Sequence, residues 1–254
     1  MTAVGALELF AIGVAASIFG SIVGLGGGFV IIPVLRIAFG VPPAQVAGTS
    51  LLMVLANTAA STFGYLRARV VDLRFVVPFT LGAVPGSIIG VFAVKRFTPG
   101  GFDFAYGVVL IVLAVLVVRR RSITSRPAGE RTFAHDPRIG VVAGLGTGFF
   151  SSLFGIGGGV VLIPLLLIAA RMPPHVVTAT SAFVITTTAP VGVLTHALGG
   201  DVDWPFSLPL VLGGLVGGSI GPLIQKRVPS PTLITMLAAA LVVAALGLAL
   251  RHLF

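Results

Sequence analysis

Cysteine is absent from this 254-residue chain, which removes disulfides, thiolate metal sites and cysteine nucleophiles together. Charge is scarce as well: 9% of residues are charged, against about 25% in a soluble domain. With 56% hydrophobic residues the chain cannot cover itself with polar surface, so a water-soluble globule is excluded. At about 20 apolar residues per span, the length holds roughly eight to ten transmembrane segments and no separate soluble domain. The partner implied throughout is the lipid bilayer. Lysine is limited to Lys95 and Lys226, neither in a phosphate-binding loop. The formal charge of +9 comes from arginines between apolar runs, where positive-inside bias accounts for them, so it does not call for nucleic acid. No Lys or Arg precedes the first apolar stretch, MTAVGALELFAIG, which predicts a first helix of the mature protein and not a cleaved signal peptide.

The fold class expected is all-α, a polytopic transmembrane helix bundle. Apolar runs bounded by Gly, Pro and charge cover 5–23, 29–40, 45–66, 75–94 and 102–118, then 139–154, 160–170, 175–199, 206–225 and 232–250. Between the two series stands RRRSITSRPAGERTFAHDPR, with six arginines and linker composition. The expected organisation is a first transmembrane repeat over 1–118, a basic cytoplasmic linker over 119–138 and a second repeat over 139–254.

A gapless shift of 131 positions lays GLGGGFVIIPVL (24–35) on GIGGGVVLIPLL (155–166), and 28 of the 78 positions from Phe19 to Arg96 are identical. Pro42-Pro43 falls on Pro173-Pro174, Thr49-Ser50 on Thr180-Ser181, and Lys95-Arg96 on Lys226-Arg227. Apolar bias alone does not align prolines, glycines and charges, so the halves are homologous. An odd number of crossings per half makes the repeats inverted. Five crossings with the linker inside place 12 basic residues inside and 4 outside; four crossings place 10 and 6. The loop at 67–74 has three arginines while its mate at 198–205 has two aspartates, as opposite orientation predicts.

The run 29–40 rises only about 18 Å as a helix, too short for a hydrocarbon core of about 30 Å. It and its mate each follow three glycines, Gly26, Gly27 and Gly28 or Gly157, Gly158 and Gly159, and contain Pro33 or Pro164. These are the marks of broken helices, and matched interrupted segments point to a transporter's binding site. A helix starting after a glycine turn presents unpaired N–H groups and a positive dipole end to an anion. Tight helix packing is the competing use of these glycines. Thr49, Ser50, Thr180 and Ser181 sit about two turns into their helices, where their hydroxyls either donate to a ligand or bond back to the helix. Asn57 is a further candidate ligand or interhelical contact. All eleven are candidate substrate-binding residues.

Catalytic constellations fail. The histidines at 135, 175, 196 and 252 show no metal-ligand spacing, so neither a metal nor a cofactor is called for. Gly217-Gly218-Ser219-Ile220-Gly221 fits G-x-S-x-G, but no acidic residue follows Asp203 and the pattern is helical. Gly82, Gly86, Gly90 and Gly213, Gly217, Gly221 form packing ladders. Asp72 and Asp203 are expected to cap helices. Glu8 is taken as the only carboxylate inside a span, and Arg36 and His196 as interfacial.

The paired motifs GLGGGFVIIPVL and GIGGGVVLIPLL, each followed by Pro-Pro and Thr-Ser, resemble the signature of the TauE/SafE family of sulfite exporters and 4-toluene sulfonate uptake permeases. The resemblance extends from about Leu9 to Leu250. It implies an inner-membrane, multi-pass secondary transporter of sulfur-containing anions such as sulfite or organosulfonates. It carries over Gly24, Gly26 to Gly28 and Pro33, with Gly155, Gly157 to Gly159 and Pro164. Alternating access and no enzymatic activity are expected. An anion channel and a structural subunit of a membrane complex stand as alternatives. A homodimer is compatible with this reading, though no isolated sequence feature carries it.

Overall fold

A computed structural model describes residues 3–67, 73–119, 137–168 and 174–251. Linker residues 120–136, with Arg69, Asp72 and Arg171, lie outside the described residues. The described residues form ten helices and no strand: α1 (Ala3–Val23), α2 (Gly28–Ile37), α3 (Pro43–Arg67), α4 (Leu73–Val94), α5 (Pro99–Arg119), α6 (Pro137–Phe154), α7 (Gly159–Ile168), α8 (Pro174–Leu198), α9 (Trp204–Gln225) and α10 (Ser230–Arg251). Each of the ten apolar runs became a helix. Six of these helices are long and apolar enough to cross a membrane: Val4–Val23, Pro43–Arg67, Val76–Val94, Pro99–Leu116, His175–Leu198 and Trp204–Gln225. α2 and α7, of ten residues each, are too short to cross alone.

The glycine ladders explain which helices touch. Gly82, Gly86 and Gly90 on α4 abut the α6 carbonyls of Val141, Leu145 and Phe149 in turn. On α9, a methyl group added at Gly213 would lie 2.6 Å from the carbonyl oxygen of Phe10, and one at Gly217 equally close to that of Val14. Both ladders therefore bring backbones together, as small residues do in lipid, where no hydrophobic drive holds helices together. Each ladder joins one half of the chain to the other. Residue numbers rise together in both pairs, so α4 runs parallel to α6 and α9 parallel to α1.

The direction of the remaining helices follows from their side chains. Thr62 faces Thr186 and Gly48 faces His196, so α3 and α8 are antiparallel. Thr49 meets Asp203 and Gly64 meets Pro222, so α3 and α9 are parallel. Thr80 meets Thr187 and Lys95 meets Gly199, so α4 and α8 are parallel. Helices matched by the 131-residue shift, α1 with α6, α3 with α8 and α4 with α9, thus run in opposite directions. Arg67, Arg138, Lys226 and Arg227 gather at one end of the bundle; Arg36, Lys95 and Arg96 are at the other.

Arg36 is buried at its end of the bundle, and Glu8 is not the only carboxylate among the spans. Asp103, the fifth residue of α5, is 2% exposed and receives both Nε and Nη2 of the equally buried Arg36 at 2.7 Å each. The Arg36 guanidinium also donates to the carbonyls of Val41 and Pro99. A forked pair of this kind satisfies the desolvated charge by geometry. It fastens the far end of α2 to α5. Asp203 does cap α9, accepting from Phe206 N at 3.3 Å.

Candidate functional site

Gly24, Gly26 and Gly27 have positive φ, and the turn they make folds the chain back upon α1. Gly27 is the N-cap of α2 at φ 82°, where a side chain would be strained in itself and its first carbon would meet Ala16 O at 2.7 Å. The second turn repeats the geometry, with Gly155, Gly157 and Gly158 at φ between 75° and 78°. The two turns touch each other. A methyl group on Gly28 would lie 2.8 Å from Gly155 O, and one on Gly159 would lie 2.8 Å from Gly24 O. Val54 of α3 packs against both Gly26 and Gly157, so a single side chain spans the crossing point. All six triplet glycines are buried.

At this crossing α2 and α7 both begin, so two positive dipole ends meet in the interior. The first bonds within each helix start late: Val30 N and Ile31 N reach Gly27 O, and Val161 N and Leu162 N reach Gly158 O. Among the described residues, no acceptor lies at hydrogen-bond geometry to the N–H of Gly28, Phe29, Gly159 or Val160. Unpaired buried donors of this density are uncommon, and successive N–H groups around glycine turns form anion-binding concavities.

The serines act on the carbonyls of these turns. Ser50 Oγ donates to Gly155 O at 2.9 Å, and Ser181 Oγ donates to Gly24 O at 3.0 Å. Each hydroxyl reaches from one half into the other half's turn. The oxygens that would repel an anion are thereby occupied, while the N–H groups are not. Thr49 instead accepts from Asp203 N at 3.0 Å and so anchors the segment before α9. Thr180 is fully buried at the matched position.

Asn57 lies one turn along α3 from Val54, facing α1 and α9. Its Oδ1 accepts from Ser21 Oγ at 2.6 Å, its Nδ2 has no partner among the described residues, and Gly218 packs against it. Thr186, Thr187 and Thr188 bond back to carbonyls of α8. A residue not singled out in the sequence, Thr147 of α6, rests its methyl group against Gly158, and its hydroxyl is buried without a partner. Its mate in the first half is Ala16, so comparing the two halves position by position would have exposed it.

A helical bundle with six membrane-length spans and two buried, donor-rich turns at its centre belongs to the polytopic membrane transporters. More particularly, the chain belongs to the sulfite exporter TauE/SafE family, whose sequence profile matches residues 9–248. This is a family of exporters, not of enzymes. The chain is 31% identical over 255 residues to the probable membrane transporter protein YunE of Bacillus subtilis, covering 92% of this chain and 93% of that one. It is 28% identical over 248 residues to the probable membrane transporter protein MJ0441 of Methanocaldococcus jannaschii, covering 92% and 91%. It is 25% identical over 228 residues to the probable sulfite/organosulfonate exporter TauE of Cupriavidus necator, covering 85% and 81%. No solved structure matches it.

Proposed function

We propose that this transporter is a secondary carrier of small sulfur-containing anions, sulfite or organosulfonates, which bind where the two glycine turns cross. The unpaired N–H groups that open α2 and α7 carry this reading. Among the described residues no carboxylate belongs to the crossing, and the two serines occupy carbonyls of its turns, so the polar groups left over are donors. The substrate class takes support from the name of the Cupriavidus relative. The opposed directions of matched helices support inverted repeats, and hence alternating access by rocking one unit against the other. The end of the bundle with Arg67, Arg138, Lys226 and Arg227 is then cytoplasmic and the membrane is the inner one.

Thermal stability of the detergent-solubilised protein against sulfite, thiosulfate, sulfate, taurine, sulfoacetate and chloride tests this reading. An anion present at 100 times its dissociation constant adds about 2.7 kcal/mol. A sulfur oxyanion or sulfonate is expected to stabilise the parent, and folded Gly27→Val and Gly158→Val variants are expected not to respond. Equal responses in parent and variants would move the site elsewhere.

A further inference from the structure

His196 occupies the position matched to Tyr65, and both side chains hold the same backbone oxygen of their half. Tyr65 Oη donates to Ser21 O at 2.7 Å; His196 Nε2 lies 2.9 Å from Ser152 O. The difference lies on the other side of the imidazole. Nδ1 faces Asp201 Oδ2 at 3.3 Å, and Lys95 Nζ, from the end of α4, approaches the same oxygen at 3.0 Å. Lys95 also donates to Gly199 O. Side-chain exposure falls along this chain of groups, from 36% at Lys95 to 11% at Asp201 and 0% at His196.

Both ring nitrogens therefore face acceptors. A carbonyl oxygen can only accept, so Nε2 bears a hydrogen, and a neutral ring would then set the Nδ1 lone pair against carboxylate oxygen. The arrangement closes when one further proton lies between Nδ1 and Oδ2. The ammonium of Lys95 shares the same carboxylate oxygen at 3.0 Å. Among the described residues, the charged groups facing the ring are Asp201 and, behind it, Lys95. From α3 the ring's neighbour is Gly48, and from α6 the Ser152 backbone, neither of which titrates.

We propose that His196 and Asp201 form the coupling-proton site of the carrier: a bound proton holds this end of the bundle shut, and its release to water lets the end open. The site joins the halves, because Lys95 belongs to the first and the pair to the second. It also reaches the anion site directly. Ser152 lies three residues before Gly155 in the glycine turn, and the segment after Asp201 is tied to Thr49 beside Ser50. At the opposite end the matched side chain is the phenol of Tyr65, whose ordinary pKa is about 10. Position 70, matched to Asp201, is Val. Coupling is thus confined to one end. This inference rests on the carrier reading, and its test separates the two.

The chain has no cysteine, so one introduced thiol reports alone. Ser152→Cys places it behind the latch, at a hydroxyl that makes no bond of its own among the described residues. Its labelling by a membrane-impermeant methanethiosulfonate, divided by that of an exposed Arg96→Cys control, is followed from about pH 5.5 to pH 8. The expected result is a several-fold rise with pH that disappears in the His196→Gln and Asp201→Asn backgrounds. A flat profile in the parent, or the same rise in both backgrounds, overturns the proton site. Methanesulfonate, which does not titrate, is then followed in proteoliposomes: a pH gradient drives uptake in the parent, while the two variants keep counterflow without responding to the gradient. Absence of counterflow in the parent would overturn the sulfonate-carrier reading while the labelling profile still decides the proton site.

Discussion

Ser50 of the first half donates its hydroxyl hydrogen to Gly155 O of the second at 2.9 Å, and the reciprocal bond joins Ser181 to Gly24 at 3.0 Å. Ser50→Ala and Ser181→Ala should each leave a buried carbonyl unsatisfied and lower stability by about 1–3 kcal/mol. Near-equal losses are expected from the two variants, with weakened stabilisation by the substrate anion, because a bare carbonyl then faces the site. Denaturant melts with and without sulfite measure both effects.

Removing one member of the Arg36–Asp103 pair strands a charge that is 2% exposed. Asp103→Leu is expected to cost about 3–5 kcal/mol, and the double variant Arg36→Met with Asp103→Leu to recover most of that loss. Ligand-induced stabilisation of the double variant should stay at the parent's level, since the pair fastens α2 at the end remote from its glycine turn. Thermal melts over the four members of the cycle decide this.

Thr147→Val removes a buried hydroxyl that has no partner among the described residues while keeping the side chain's shape. Stability is expected to hold or rise, because burying an unpaired hydroxyl costs about 1–3 kcal/mol. Anion affinity is expected to fall, since the methyl group of Thr147 already lies against Gly158. Isothermal titration with sulfite, set beside a melt, separates the two effects.

Glycines divide by what surrounds them. Gly217→Val drives a side chain into Val14 O and Ser17 and is expected to separate α1 from α9, with loss of folded protein. Gly107 and Gly146 have open space where a side chain would begin, so alanine there should be neutral or slightly stabilising. Yield and melting temperature of the purified variants provide the comparison.

Helix number, helix position and the break at each glycine segment were legible because periodicity, short run length and a repeated motif are local signals. The ladders were legible too, as Gly82 and Gly213 show. What the serines do was not. Ser50 and Gly155 are 105 residues apart, and only the three-dimensional crossing of the halves reveals that the hydroxyl serves a carbonyl. The contacts of Asn57 were not legible either, since Ser21 of α1 and Gly218 of α9 are far from it in sequence. Asp103 and Ser152, which hold Arg36 and His196, likewise come from distant segments, so those two contacts were not legible.

Counterflow of radiolabelled sulfite into proteoliposomes preloaded with unlabelled sulfite tests the central claim most directly. The account predicts uptake accelerated by the internal anion, saturating with external concentration and lost in folded Gly27→Val and Gly158→Val variants. Flux that grows linearly with concentration and ignores the internal anion would contradict it and mark a channel.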